Sequence, residues 1–155
     1  MSGQRHRQRV RDVRHRLAHD GPPWTRDRAD DFETVTVPER DCDALRDLLI
    51  AEGVETVVEV GLAYGSSALA IGEALVAVAA ERPLHVIIDP LQATEWSNVG
   101  WQLLRSAGLD TIARPSSTSS RSDWQRPAQP RPTKGILVAM TVMVATLASR
   151  ESSAM

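Results

Sequence analysis

Residues 56–89 constrain the fold of this chain more than any other stretch. They read T-V-V-E-V-G-L-A-Y-G-S-S-A-L-A-I-G-E-A-L and then, after a polar break, L-H-V-I-I-D. The first five residues are rich in β-branched side chains and end at a glycine, the pattern of a buried parallel strand. Gly61 and Gly65 bracket a tight turn, and Ser66 and Ser67 are good starters for a helix. From 66 to about 80 the chain is rich in Ala and Leu and free of proline, so a helix is expected. Residues 84–88 form a second apolar strand with Asp89 at its carboxyl end. The whole predicts a βαβ unit with a ligand site at its upper edge.

Such a unit has a built-in chemistry. The turn exposes backbone N–H groups and the helix start adds partial positive charge, so a phosphate or carboxylate gains from both. An acid at the end of the second strand can accept hydrogen bonds from a ribose diol, and Asp89 follows Gly65 at close to the roughly 20-residue separation that role requires. An anionic nucleoside derivative is the natural occupant. The dinucleotide fingerprint G-x-G-x-x-G needs glycine where this chain has Ala63 and Ser66, and a phosphate loop needs a lysine that is absent here.

What stands there is Glu59-x-Gly61-x-x-x-Gly65-x-Ser67. This resembles the first motif of class I S-adenosylmethionine (SAM)-dependent methyltransferases, especially the small-molecule O-methyltransferases of the catechol type. Val86-Ile87-Ile88-Asp89-Pro90 looks like the family's second motif, and the likeness runs over residues 51–109. The resemblance implies a Rossmann-like α/β fold, SAM as cofactor and a small-molecule methyl acceptor. It implies that Glu59 lies beside the methionine part of SAM and that Gly61 lets the backbone approach it. Gly65 would allow close packing where the helix begins, with Ser66 beside it in the cofactor set. Ser67 would bond the methionine carboxylate, Asp89 the ribose hydroxyls, and Tyr64 would line the pocket. The same residues could do no more than shape a βαβ turn.

At 155 residues, with 42% apolar and 25% charged side chains, the chain suits one domain with a real core. A net charge of −2 calls for neither nucleic acid nor membrane as a partner. A lone Cys42 excludes an internal disulfide and any cysteine-based zinc site, and the cytoplasm is the default location. Residues 1–30 read as a basic, polar arm and linker, residues 31–113 as a partial SAM-binding domain, and residues 114–155 as a low-complexity linker plus a short apolar segment. The arm carries six arginines and three histidines in residues 1–19 without a clean amphipathic stripe, which predicts a solvated, partly disordered or helical tail. His15 and His19 have metal-compatible spacing, but no third ligand is near in sequence, and no metal is expected.

Residues 32–37 alternate enough for a short extended piece. Pro38 then opens a helix through Ala51 with Cys42 on its apolar side. Gln92, Thr94, Glu95 and Trp96 fall in the loop after the second strand, Trp96 or Trp101 could pack on an adenine, and residues 98–107 form a second crossover helix. His85, inside the second strand, is expected to be structural.

Beyond residue 109 the pattern fails. Residues 115–133 hold four prolines and five serines, and after Asp123 the only acid is Glu151, so a carboxylate metal site has nothing to be built from. The family's later acid-bearing strand is not found, which predicts a truncation or a reading-frame change and an irregular C-terminal region. Residues 135–148 are an apolar block expected to pack on the preceding unit as helix or strand. The leading reading is therefore a SAM-dependent O-methyltransferase whose catalytic residues cannot be named. The alternative is a non-catalytic methyltransferase-like fragment needing a partner, with a homodimer as one form. A nicotinamide-dependent oxidoreductase and a nucleic-acid binder using the basic arm rank below both.

Overall fold

The computed structural model describes residues 3–23 and 32–116 and the backbone of residues 136–140. In chain order the elements are α1 (Gly3–Asp20), α2 (Phe32–Val35), α3 (Glu39–Ala51), β1 (Thr56–Val60), α4 (Ser66–Val78), β2 (Leu84–Ile88), α5 (Val99–Ser106), β3 (Ala113–Pro115) and β4 (Ile136–Met140). The expected strand–turn–helix–strand unit forms at residues 56–88, and a third strand follows at Ala113–Pro115. The apolar block resolves in part into β4; the proline- and serine-rich residues 117–135 lie outside the described residues.

All strand pairs are parallel, in the order β3-β2-β1-β4. The β-branched runs of β1 and β2 satisfy their backbone groups against neighbours, with Glu59 level with Ile87 on one side and Ala139 on the other. The order reverses direction between β1 and β4, which makes that point the topological switch of the sheet. In open parallel sheets a crevice opens there, beyond the carboxyl ends of the strands. On one face of the sheet Val57, Glu59, His85 and Ile87 are buried, with α4 packed against β1 and β2.

The Ala-rich α4 is buried along its length from Ser67 to Leu75 because α1 and α3 both pack on it. Gly72 marks the closest approach, since a Cβ there would lie 2.3 Å from a Leu109 methyl group. The helix stops at Ala79, held in the left-handed region at φ 54°.

Two expectations are corrected. The basic N-terminal arm is not a solvated tail: α1 is an 18-residue helix docked by Val10, Val13, Arg14 and Leu17. Its stripe is three aliphatic residues wide and contains an arginine, so it becomes an apolar seam only when a partner for that charge is supplied. The partner is Glu73 of α4, fully buried; Arg11 Nη2 and Nε donate to its Oε1 at 2.8 and 3.1 Å, and Arg7, Arg14 and Arg46 surround it at 3.4–3.7 Å. The second correction concerns residues 32–35, which form the helical turn α2 rather than an extended piece. Thr36 donates both its backbone N–H and its hydroxyl to the Phe32 carbonyl, closing that turn. No helix among the described residues is long and apolar enough to cross a membrane.

Candidate cofactor site at the switch of the sheet

The β1–α4 turn is bent by Gly61 at φ 86° and Gly65 at φ 88°, a region that side-chain-bearing residues avoid. Gly61 N donates to Ile88 O at 2.9 Å and Gly65 N to Leu62 O at 2.7 Å, so the turn is pinned to β2 and closed on itself. No side chain caps the start of α4. A helix start of this kind carries the partial positive charge that favours an anion.

Asp89 holds this turn together. Its Oδ2 accepts hydrogen bonds from the backbone N–H groups of Leu62 at 2.7 Å and Ala63 at 3.1 Å, and from Gln92 Nε2 at 3.0 Å; Oδ1 accepts from Leu91 N at 2.9 Å. Sequence reasoning assigned Asp89 to a ligand's diol and had no means to foresee these bonds to the turn itself. Gln92, a second-rank site candidate, is buried and also donates to Ala63 O at 2.7 Å, so it braces the turn.

Beneath the turn, Ser67 Oγ donates to Glu59 Oε1, and His85 Nε2 lies 3.0 Å from Glu59 Oε2. Glu59 and His85 are both fully buried. Glu59 and Ser67 are thus brought together as the motif requires, but directly against one another. His85 joins them, a residue the sequence left as structural. Its place follows from β2 pairing in register with β1, two positions from Ile87, the residue level with Glu59.

Tyr64 is buried and packs edge-on between Phe32 at 5.5 Å and Trp96 at 5.1 Å, ring centre to centre. Thr94 and Glu95 are exposed. Trp101 is half-buried against the core. Gly100 of α5 escaped sequence reasoning altogether. A Cβ there would lie 2.6 Å from Leu62 Cγ and 2.7 Å from Ala63 O, so only glycine lets α5 abut the turn. A glycine at the third position of an expected crossover helix was its one sequence signal.

Ser66, the first residue of α4, lines a cavity of about 270 Å³ whose other walls include Arg14, Thr36, Glu39 and Cys42. Arg14 is 4% exposed; its Nη2 donates to Asp43 at 2.6 Å, while Nε and Nη1 are buried without a hydrogen-bond partner. A cationic side chain therefore stands across the cavity from a helix start, and both favour an anion. Burial pushes the Cys42 thiol up to about 12, outweighing the opposing charge of Arg14, so this wall holds no thiolate nucleophile.

No family model and no curated protein matches this chain. Solved structures do. The O-methyltransferase TomG from Streptomyces achromogenes, determined with SAM, superposes with a TM-score of 0.56 at 16% identity over 84% of this chain and 52% of that enzyme. An O-methyltransferase from Bacillus cereus, determined with SAH, superposes at 0.50 with 14% identity over 86% and 54%. This chain therefore spans about half the length of the enzymes it matches. With an all-parallel β3-β2-β1-β4 sheet and a glycine-bent turn at its switch, the chain has the class I fold of the SAM-dependent O-methyltransferases.

Proposed function

We propose that this chain is the SAM-binding part of a methyltransferase acting on a hydroxyl of a small molecule. The observation that carries the reading is the β1–α4 turn. It is bent by two left-handed glycines at the carboxyl end of the central strand, and it leads into an uncapped helix start beside a cavity with a buried arginine. In this reading the amino-acid end of SAM lies at the start of α4. Its carboxylate is held by the donors of Ser66 and Ser67, and its ammonium group by the side of Glu59. Gly61 and Gly65 let the backbone close on the ligand, and Tyr64 contributes a wall. Asp89 reaches the ribose only through Oδ1, because Oδ2 is committed to the turn.

SAM, held by Ser66, Ser67 and Glu59, would supply an electrophilic methyl group on its sulfonium. The chain contributes position and the exclusion of water. Binding without catalysis is the second reading, favoured because Glu59 is fully buried against Ser67 and His85 and Asp89 is bonded to the turn.

Calorimetric titration with SAH and with NAD tests the cofactor assignment. Saturable SAH binding with no NAD binding is expected, and a folded protein without measurable SAH affinity sinks the proposal. Transfer of labelled methyl from SAM to a panel of phenols and catechols then separates the two readings, since binding without turnover selects the second.

A further inference from the structure

His15 and His19 occupy successive turns of α1, and the fold supplies the third group that their spacing lacked. Glu39, the first residue of α3, places Oε1 at 3.2 Å from His15 Nδ1 and Oε2 at 3.4 Å from His19 Nε2. One donor atom from each of the three residues lies within 4.8 Å of the others. The two imidazoles lie with centres 4.1 Å apart and planes tilted by 56°. Ligands at about 2.0–2.1 Å around a tetrahedral ion are separated by roughly 3.3 Å along each edge. Both nitrogen-to-oxygen separations match such edges, and one donor from each residue is close enough to the others to converge on a single ion.

We propose that His15, His19 and Glu39 form a binding site for a borderline divalent transition cation, with Zn²⁺ the best fit. Two neutral imidazoles and one carboxylate are a donor set that zinc accepts, whereas calcium and magnesium prefer all-oxygen shells. The two histidines are more than half exposed and Glu39 is one-third exposed, so the ion can enter from solvent and keep water in its remaining position. The site joins α1 to α3, the two helices packed on α4. Glu39 also lines the cavity beside Ser66, so a bound ion would fix one wall of it. The inference is independent of the cofactor reading.

Zinc titration of the untagged, metal-stripped full chain by calorimetry tests the site. The expected result is one ion per chain, a melting temperature that rises with zinc, and the intense visible band of tetrahedral Co²⁺ when cobalt is substituted. His15→Ala, His19→Ala and Glu39→Gln each lower zinc affinity at least tenfold and abolish the cobalt band. The metal-free circular dichroism spectrum stays unchanged, because the side chains are on the surface. Absence of zinc binding overturns the proposal. So does binding that survives in both histidine variants, which would place the ion on other groups such as His6.

Discussion

Glu59 and Glu73 are both fully buried, eight and seven residues from Ser67 and Ser66 respectively, yet they serve opposite purposes. Glu59 lies on the central strand and meets a serine hydroxyl and an imidazole, groups that can be rearranged around a ligand. Glu73 lies on α4 amid four arginines, three of them from α1, which tie α1 and α3 to α4. One buried acid lies beneath the glycine-bent turn, where we propose a site, and the other holds a clamp between helices. A buried carboxylate thus takes its meaning from its partners: a hydroxyl and an imidazole are neutral groups that a ligand can compete with, whereas several opposite charges lock helices together.

The largest effect should come from breaking the clamp. Glu73→Ala leaves Arg14 buried with Asp43 as its one remaining acid, and loss of one member of a buried ion pair costs about 3–5 kcal/mol. A fall of that size in unfolding free energy, measured by urea titration, is expected; a loss below 1 kcal/mol would show that α1 is held by its aliphatic seam alone. Next is Gly100→Ala, where the new methyl group collides with Leu62 and Ala63 O. Overpacking of this kind costs roughly 1–3 kcal/mol, and here it also displaces the turn, so SAH affinity should fall with stability.

Glu59→Gln sharpens the contrast from the other side. We expect SAH affinity to drop about tenfold, equivalent to about 1.4 kcal/mol, while stability falls by about 1–2 kcal/mol at most. If stability collapses as it does for Glu73→Ala, Glu59 is a structural acid and the distinction fails.

A smaller effect concerns the rim of the clamp. Burial acts to raise the Asp43 pKa, but the hydrogen bond and charge of Arg14, joined by Arg46, prevail and hold it below the usual carboxylate value. A carboxylate lowered in the folded state stabilises the fold at pH above its unfolded value of about 3.9, and that contribution disappears as pH falls through the lowered value. Thermal melts should therefore decline below about pH 4, and Asp43→Asn should flatten part of that decline. The smallest change is expected at Cys42. It is 1% exposed with its thiol pushed up to about 12, so a thiol reagent at neutral pH should label it only after denaturation.

The site was legible where local geometry dictates residue type. Only glycine suits the backbone at 61 and 65, and β-branched runs mark buried parallel strands, so the turn and its two strands could be placed from residues 56–89 alone. What Asp89 bonds to could not, because its four donors come from Leu62, Ala63, Leu91 and Gln92, and two of these lie across the sheet. The docking of α1 was hidden for a related reason. An arginine inside an apolar stripe looks like a break until a buried acid from another helix neutralises it.

By itself, then, the sequence determined the βαβ unit, the glycine bend and the pairing of Glu59 with Ser67 in one motif, since each depends on neighbours within a few turns of chain. Only the tertiary structure decided that a basic N-terminal helix is part of the core, that Gly100 must be small, and that Glu39 meets two histidines. Those outcomes depend on charges and volumes brought together from twenty or more residues away, and no local pattern encodes them.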